Sequence, residues 1–292
     1  MLAFNHQIQA LLSLMDDTDM EVYSIVTERI CQYGKSIIPH LENLWENTVR
    51  NDVQERIELL IHQIQYNDLE EAVVDWKRNS GRLVDGAILA ARFQYPDLNV
   101  EEVKDKIQKL WRTVWLELND QLTYLEQLHI LNSILYHFYK LEGAAYNYKD
   151  EEFFLINKVL EKRKGNALSN GILFQVIAEQ VGLPIKAVHV PKHYLLAFFS
   201  KTSPFLPCKE LDSENILFFI DATSGSVYNR ADMVKYLKDN DCLSGGRLFE
   251  VMENRDIVAY LFREWSSCLA GAGDQYKKEE LHRLARILAQ KD

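Results

Sequence analysis

Three polar side chains in the second half of this chain have the types and order of a nucleophilic site: Ser169, His193 and Asp221. Ser169 lies in "RKGNALSNGILFQVIAEQVG" (Arg163–Gly182), a polar start followed by a strongly helical pattern. A nucleophile in the first turn of a helix feels the positive end of the helix dipole. His193 opens the apolar run "HYLLAFFS", and Asp221 closes "NILFFID". If these runs pair as a hairpin about the 201–214 loop, centred on Pro207, His193 stands directly opposite Asp221 on the same face. An aspartate beside a histidine fixes its tautomer and stabilises its protonated form, which is the base-and-orienter half of a triad.

Each residue also has a plainer reading. A serine in a first turn accepts backbone N–H groups, and Asn166 is an equally good cap. Ser169 shares a helical face with Ile172, Leu173 and Val176, which turns it inward. Serine is harder to deprotonate than cysteine, whose free pKa is about 8.5, and it needs an aligned base and an oxyanion hole. His193 also reads as a surface histidine at a strand edge, and Asp221 as the acid that initiates the turn "ATSGS". His189, His193 and Asp221 are potential metal donors, but the spacing across Pro191-Lys192 is loose and no further nitrogen or thiolate is placed. Neither a metal nor a cofactor is expected. Gly245-Gly246 lacks the preceding strand and the Lys-Ser/Thr of a phosphate loop and reads as a turn. Tyr146 and Tyr148 read as packing over the core.

The elements that must position these residues fall into three regions. Residues 1–80 read as short paired helices. Val22, Ile25, Val26, Ile30 and Tyr33 form one apolar stripe, Ile38, Leu41, Leu44 and Trp45 a second, and Ile57, Leu60, Ile61 and Ile64 a third. The segment "DTDMEVYSIVTERICQYGKSIIPHLENLWE" resembles one HEAT-type repeat, and a plain helical bundle is the equal alternative. Residues 81–235 begin helical, through Val100–Val114 and Leu128–Phe138, and "EEFFLINKVLEKRKG" reads as a helix closed by Gly165. The pattern then changes to "LPIKAVHV", "HYLLAFFS" and "NILFFIDA", whose β-branched and aromatic residues predict a small antiparallel sheet. Residues 236–292 return to helix and form a TPR-like hairpin. Trp45, Trp76 and Trp111 are expected in the core.

Composition narrows the function classes. The 292 residues carry 33 basic and 43 acidic side chains, a net charge of −10. That charge argues against a general role on nucleic acid or on an anionic membrane surface, leaving room for a local basic patch. Cys31, Cys208, Cys242 and Cys268 show no CxxC spacing, as expected of reduced thiols in a cytoplasmic protein. No apolar run reaches the ~18 residues of a membrane helix, and the N-terminus lacks the basic region and cleavage site of a signal peptide.

The order of helix start, histidine strand and acid-ending strand resembles the core of the transglutaminase-like superfamily, with its papain-like sequence of cysteine, histidine and aspartate. Gly182-Leu183-Pro184 is similar to that family's Gly-Ile-Pro helix end, His193 to its histidine, and Asp221-Ala222-Thr223 to its Asp-x-Thr. Counted back from Gly182 without a gap, its Gly-x-Cys falls on Gly165-Asn166-Ala167, so the resemblance puts Ala167 at the cysteine position. Ser169 is two residues further, roughly 200° around the helix. "DGAILAARFQYPDLNVEEV", "INKVLEKRKGNALS" and "QVGLPIKAVHVPKHYLLAF", together with the C-terminal helices, resemble the SirB-type bacterial branch, in which the cysteine is commonly missing. The turn Pro191-Lys192-His193 and the run "DATSGS" depart from that branch's usual Pro-Gly-His and Asp-Pro-Phe-Asn-x-Gly.

The resemblance implies an α+β fold, mostly helical, with a papain/transglutaminase-like core of helices packed on a small antiparallel sheet. It implies a non-catalytic protein acting as a protein or peptide interaction or regulatory module. The alternative is a serine-type hydrolase or acyl transferase using Ser169, His193 and Asp221. Helical repeats and the acidic balance point to a protein or peptide partner of basic character.

Overall fold

Val26 and Ile30, Ile37 and Leu41, and Val53, Ile57, Leu60 and Ile64 are three helical stripes that close on one another as a single apolar cluster. The computed structural model that shows this describes residues 10–12, 14, 19–144, 150–191, 193–200, 213–240, 248–269 and 275–290. Pro207, Tyr146, Tyr148 and Gly245-Gly246 lie outside the described residues. The chain divides into two units, Met1–Val73 and Val74–Asp292. In the first, α1 (Met20–Cys31) is capped by Asp19, whose carboxylate accepts the Glu21 N–H at 2.9 Å. A 3₁₀ turn (Gly34–Ile37) leads into α2 (Ile38–Asn47), which carries Pro39 in its first turn. The third stripe belongs to α3 (Asn51–Arg78), 28 residues rather than a short helix. The reason is local: no glycine or proline interrupts that run. Trp45 is not a core residue, being 37% exposed and donating its indole N–H to Glu58 at 2.9 Å.

The second unit holds α4 (Leu83–Gln94), α5 (Val100–Glu117) and α6 (Tyr124–Asn132), which runs on into a π-helical turn (Ser133–Phe138). A two-residue strand β1 (Glu142–Gly143) follows, then a 3₁₀ turn (Glu151–Phe154) and α7 (Ile156–Lys162). Strand β2 (Lys164–Gly165) pairs with β1 in parallel and hands the chain to α8 (Ala167–Gln180). Gly165 therefore does not close the preceding helix. That helix ends on Arg163 in the left-handed conformation, φ 55°, because β1 takes the carbonyls that follow: Glu142 N–H donates to Arg163 O and Ala144 N–H to Gly165 O.

The expected sheet has a fourth strand. Its order is β3 (Ile185–Val190), β4 (His193–Phe199), β5 (Ile216–Asp221) and β6 (Ser226–Tyr228), all antiparallel. Val190 pairs with His193 across a two-residue connection. Between β4 and β5 the pairs are Leu196↔Ile220, Ala197↔Phe219 and Phe198↔Phe218, with an irregularity at Phe198/Phe199. Continued outward, that register sets His193 opposite Thr223 and leaves Asp221 two residues away, diagonal to it on the same face. The expected direct His193–Asp221 opposition is thus displaced, and the bulge, which pairs Phe199 with Ile216, contributes one residue of that shift.

One sheet face carries Leu195, Ala197, Phe199 and Phe219 and is covered by Met233 and Leu237 of α9 (Arg230–Asp239). The other is covered by α8, and the outer edge of β3 is closed by hydrogen bonds to Phe249–Met252 and to the Gln175 side chain. The last helices, α10 (Asn254–Cys268) and α11 (Gln275–Ala289), pack along each other, and α10 also packs on α4. Trp265 of α10 is fully buried, edge-on to Phe93 at 5.2 Å, with its indole N–H on Glu151 at 3.1 Å. Trp76 is buried, whereas Trp111 is half-buried and donates to Gln180 O at the end of α8. The fold is thus α+β and mostly helical. Among the described residues no helix is long and apolar enough to cross a membrane.

The helix-to-sheet contact is tightest at Gly171, where an added Cβ would lie 2.3 Å from the Tyr194 ring. That ring is buried and stacked on Tyr260 at 6.3 Å, so it has little room to retreat. Overpacking of this kind costs about 1–3 kcal/mol, against a gain of about 1 kcal/mol for alanine over glycine in a helix. Gly171→Ala is expected to lower the urea midpoint with an unchanged slope; an unchanged or higher midpoint would mean that Tyr194 moves aside freely.

Candidate functional site

Helix α8 is buried from Leu168 to Ala178, so its first turn must satisfy its N–H groups without water. Asn166 and Ser169 do this reciprocally. The Asn166 side chain accepts the Ser169 N–H at 2.9 Å, and the Ser169 oxygen accepts the Asn166 N–H at 3.1 Å. The Ser169 hydroxyl proton goes to Phe153 O at 2.5 Å, which ties the helix start to the turn before α7. Asn170 adds a bond from its amide to Glu142 O on β1. Gly165 is required beside this knot, since a Cβ there would lie 2.5 Å from both Ser169 Oγ and Asn170 Oδ1.

The other half of the site is the turn after β5. Asp221 accepts the Thr223 N–H at 2.8 Å and the Thr223 hydroxyl at 2.7 Å on one oxygen, and the Ser224 hydroxyl at 3.2 Å on the other. Gly225 N–H closes the turn on Asp221 O. The end of α6 and the π-helical turn after it hold this turn from below: Tyr136 donates to Ala222 O and Asn132 to Gly225 O, each at 2.8 Å. Burial, reinforced by the nearby Asp221 charge, pushes the Tyr136 phenol far above its ordinary range, so it stays a donor. Asp221 is thereby a turn-initiating acid and a site-lining acid at once.

Between these two parts lies a cavity of about 200 Å³. Ala167, His193 and Asp221 all line it, together with Thr223, Tyr228 and Tyr236. Ala167, the first helical position of α8, thus lines the same cavity as the histidine and the acid. His193 sits edge-on to Tyr236 with ring centroids 5.6 Å apart. Ser169 is not part of this lining; it is 1% exposed and bonded inward to Phe153. The structure therefore brings together His193, Asp221 and Ala167, and leaves Ser169 in the helix cap. Among the described residues that line the cavity, the only aliphatic hydroxyl, on Thr223, is already donated to Asp221.

His189 is separated from the cavity. It pairs with Tyr194, one position from His193 on the adjoining strand, so the two imidazoles leave opposite faces of the hairpin. Its backbone is engaged by Phe249 and Glu250. Among the described residues no group of three or more His, Cys, Asp or Glu side chains gathers as a metal site.

Leu168, Tyr194, Leu195, Tyr228, Met233 and Tyr236 also line the cavity, and none is singled out as a site residue by the sequence. The signal for two of them was present: Asn229 caps α9, and Met233, Tyr236 and Leu237 follow at helical spacing. Tyr228 was not recognisable, because β6 is only three residues long and polar at its start.

The comparisons agree with this layout. A family profile for the transglutaminase-like superfamily matches residues 101–263, which takes in α5 through most of α10. Protein SirB1 of Salmonella typhimurium is 29% identical over 125 residues, 43% of this chain and 46% of SirB1. The chain thus spans about half the length of that relative. The UPF0162 protein YchA of Escherichia coli K12 is 22% identical over 219 residues, 75% of this chain and 77% of YchA. F-box only protein 21 of Pongo abelii is 32% identical over a shorter stretch of 83 residues, 28% of this chain and 13% of that protein. No solved structure matches. With a helix start, a histidine strand and an acid turn meeting at one cavity inside the matched region, this chain belongs to the transglutaminase-like superfamily, in its SirB-type bacterial branch.

Proposed function

We propose that this protein is a non-catalytic member of its superfamily that acts as a protein or peptide interaction or regulatory module. One observation carries the reading: the residue that lines the cavity with His193 and Asp221 from the first helical position of α8 is Ala167, and a methyl group has no lone pair to attack with. A histidine can activate a nucleophile only within hydrogen-bond reach. Ser169, the alternative, spends its proton on Phe153 O and a lone pair on Asn166 N–H, so recruiting it means dismantling a buried helix cap. The serine hydrolase or acyl transferase reading has no support in that geometry.

Size supports binding of a side chain rather than of a larger small molecule. Ligand pockets for drug-sized molecules run to about 300–1,000 Å³, and this cavity holds about 200 Å³. Its walls combine the Asp221 carboxylate with Tyr228 and Tyr236. Among the described residues no lysine or arginine pairs with Asp221. Such walls suit one protruding side chain of a partner with basic character, in keeping with the net charge of −10.

A fluorophosphonate probe separates the two readings. The wild-type protein is expected to remain unlabelled, and labelling that disappears in Ser169→Ala would overturn the non-catalytic reading. Ala167→Cys tests the frame in the other direction. A thiol at a helix N-terminus beside a histidine is activated, whereas burial holds the Cys31 and Cys268 thiols above their ordinary range. Peptide mapping after brief iodoacetamide treatment at neutral pH should find the introduced thiol alkylated about tenfold faster than Cys31 or Cys268. Equal rates would show that His193 and the helix start do not act on that position.

A further inference from the structure

The sequence is acidic overall, yet the groove between the last two helices is not. Arg263 of α10 and His282, Arg286, Ala285 and Ala289 of α11 line a cleft of about 560 Å³, with Glu279 at one end. Among the described residues neither the Arg263 nor the Arg286 guanidinium forms an ion pair with a carboxylate. Arg263 instead lies 6.0 Å over the Tyr260 ring, and Arg286 reaches only the His282 carbonyl on its own helix, at 3.4 Å. Glu264, next to Arg263, is half-buried and bonded to Tyr260, and burial raises its carboxyl above the ordinary range. Glu279 accepts the Gln275 side chain at 2.7 Å along its own helix. Two guanidinium groups therefore face the cleft from opposite walls, over a floor of small apolar side chains.

We propose that this cleft is a binding site for an acidic peptide segment of a partner protein, separate from the cavity at Ala167. Guanidinium groups bind carboxylates through paired N–H donors in a fixed plane, which rewards an oxygen pair held between them. The alanine floor leaves room for a backbone or an aliphatic stem, which an isolated ion would not fill. The cleft is also several times larger than an ion needs, and it runs along the helix pair as an extended peptide would. Ser266 on α10 meets the His282 ring at 3.4 Å, which holds the two walls in register.

The test is fluorescence anisotropy at low salt with a fluorescein-labelled peptide of repeating Glu-Ala-Glu-Leu, and with its Gln-for-Glu counterpart. The wild-type protein should bind the acidic peptide saturably and the Gln peptide not at all. Arg263→Gln/Arg286→Gln should weaken binding by about tenfold or more, and the exposed positions of both side chains favour an unchanged circular dichroism spectrum. Arg78→Gln/Lys106→Gln, which removes the same net charge elsewhere, should leave it unchanged. Ala289→Trp, which fills the exposed end of the floor without touching a charge, should also weaken it. Equal binding by the Arg263/Arg286 double variant, equal binding of the Gln peptide, or displacement of the acidic peptide by an equimolar amount of inorganic phosphate would overturn the proposal, the last by marking a phosphate site instead.

Discussion

The hydrogen bond from Ser169 Oγ to Phe153 O is the contact on which the arrangement of the site depends. Helix α8 is enclosed by α4, α5 and α7 and by the sheet, so it is apolar on nearly every face. A helix without access to water cannot leave its first N–H groups open, since each unmet buried donor costs about 1–3 kcal/mol. Asn166 and Ser169 close that end, and the Phe153 carbonyl closes Ser169 in turn. Once these three are joined, the rotation of the helix is set. Ser169 turns into the protein and Ala167 turns to the cavity.

That constraint explains why Ala167, and not Ser169, lines the cavity. A search for nucleophile, base and acid selects Ser169, His193 and Asp221, and two of those three line the cavity. The third was distinguishable because helical geometry separates Ala167 from Ser169 by roughly 200°. Three strands and the glycine at the end of α8 were legible from β-branched composition and from Gly182-Leu183-Pro184, and Gly182 does adopt a positive φ of 73°.

What sequence did not give depends on contacts between distant segments. The helix stop at Arg163 follows from β1 capturing the next carbonyls, and β1 is two residues long with no pattern of its own. One residue of the displacement of His193 from Asp221 follows from an irregularity at Phe198/Phe199. The bulge puts Ile216 and Phe219, three residues apart, on one face, but the run Ile216–Ile220 is apolar throughout, so the broken alternation leaves no mark in the sequence. Trp45 illustrates the reverse case: its spacing is that of a core residue, but Glu58 offers its indole N–H a partner at the surface.

The placement of a histidine and an acid at the cavity has a physical explanation in local folding. Asp221 organises the turn that joins β5 to β6, receiving three hydrogen bonds from Thr223 and Ser224. Tyr136 of the π-helical turn and Asn132 at the end of α6 hold the same turn, and an added Cβ at Gly225 would lie 2.5 Å from the Tyr136 ring. An acid at 221 is therefore kept in place by local folding alone. His193 is held by its strand register and by the Tyr236 ring on α9. No such tie acts on the side chain at 167, since the helix cap is completed by its neighbours Asn166 and Ser169. Among the described lining residues, position 167 is one that these hydrogen bonds leave unconstrained, and in this chain it carries a methyl group.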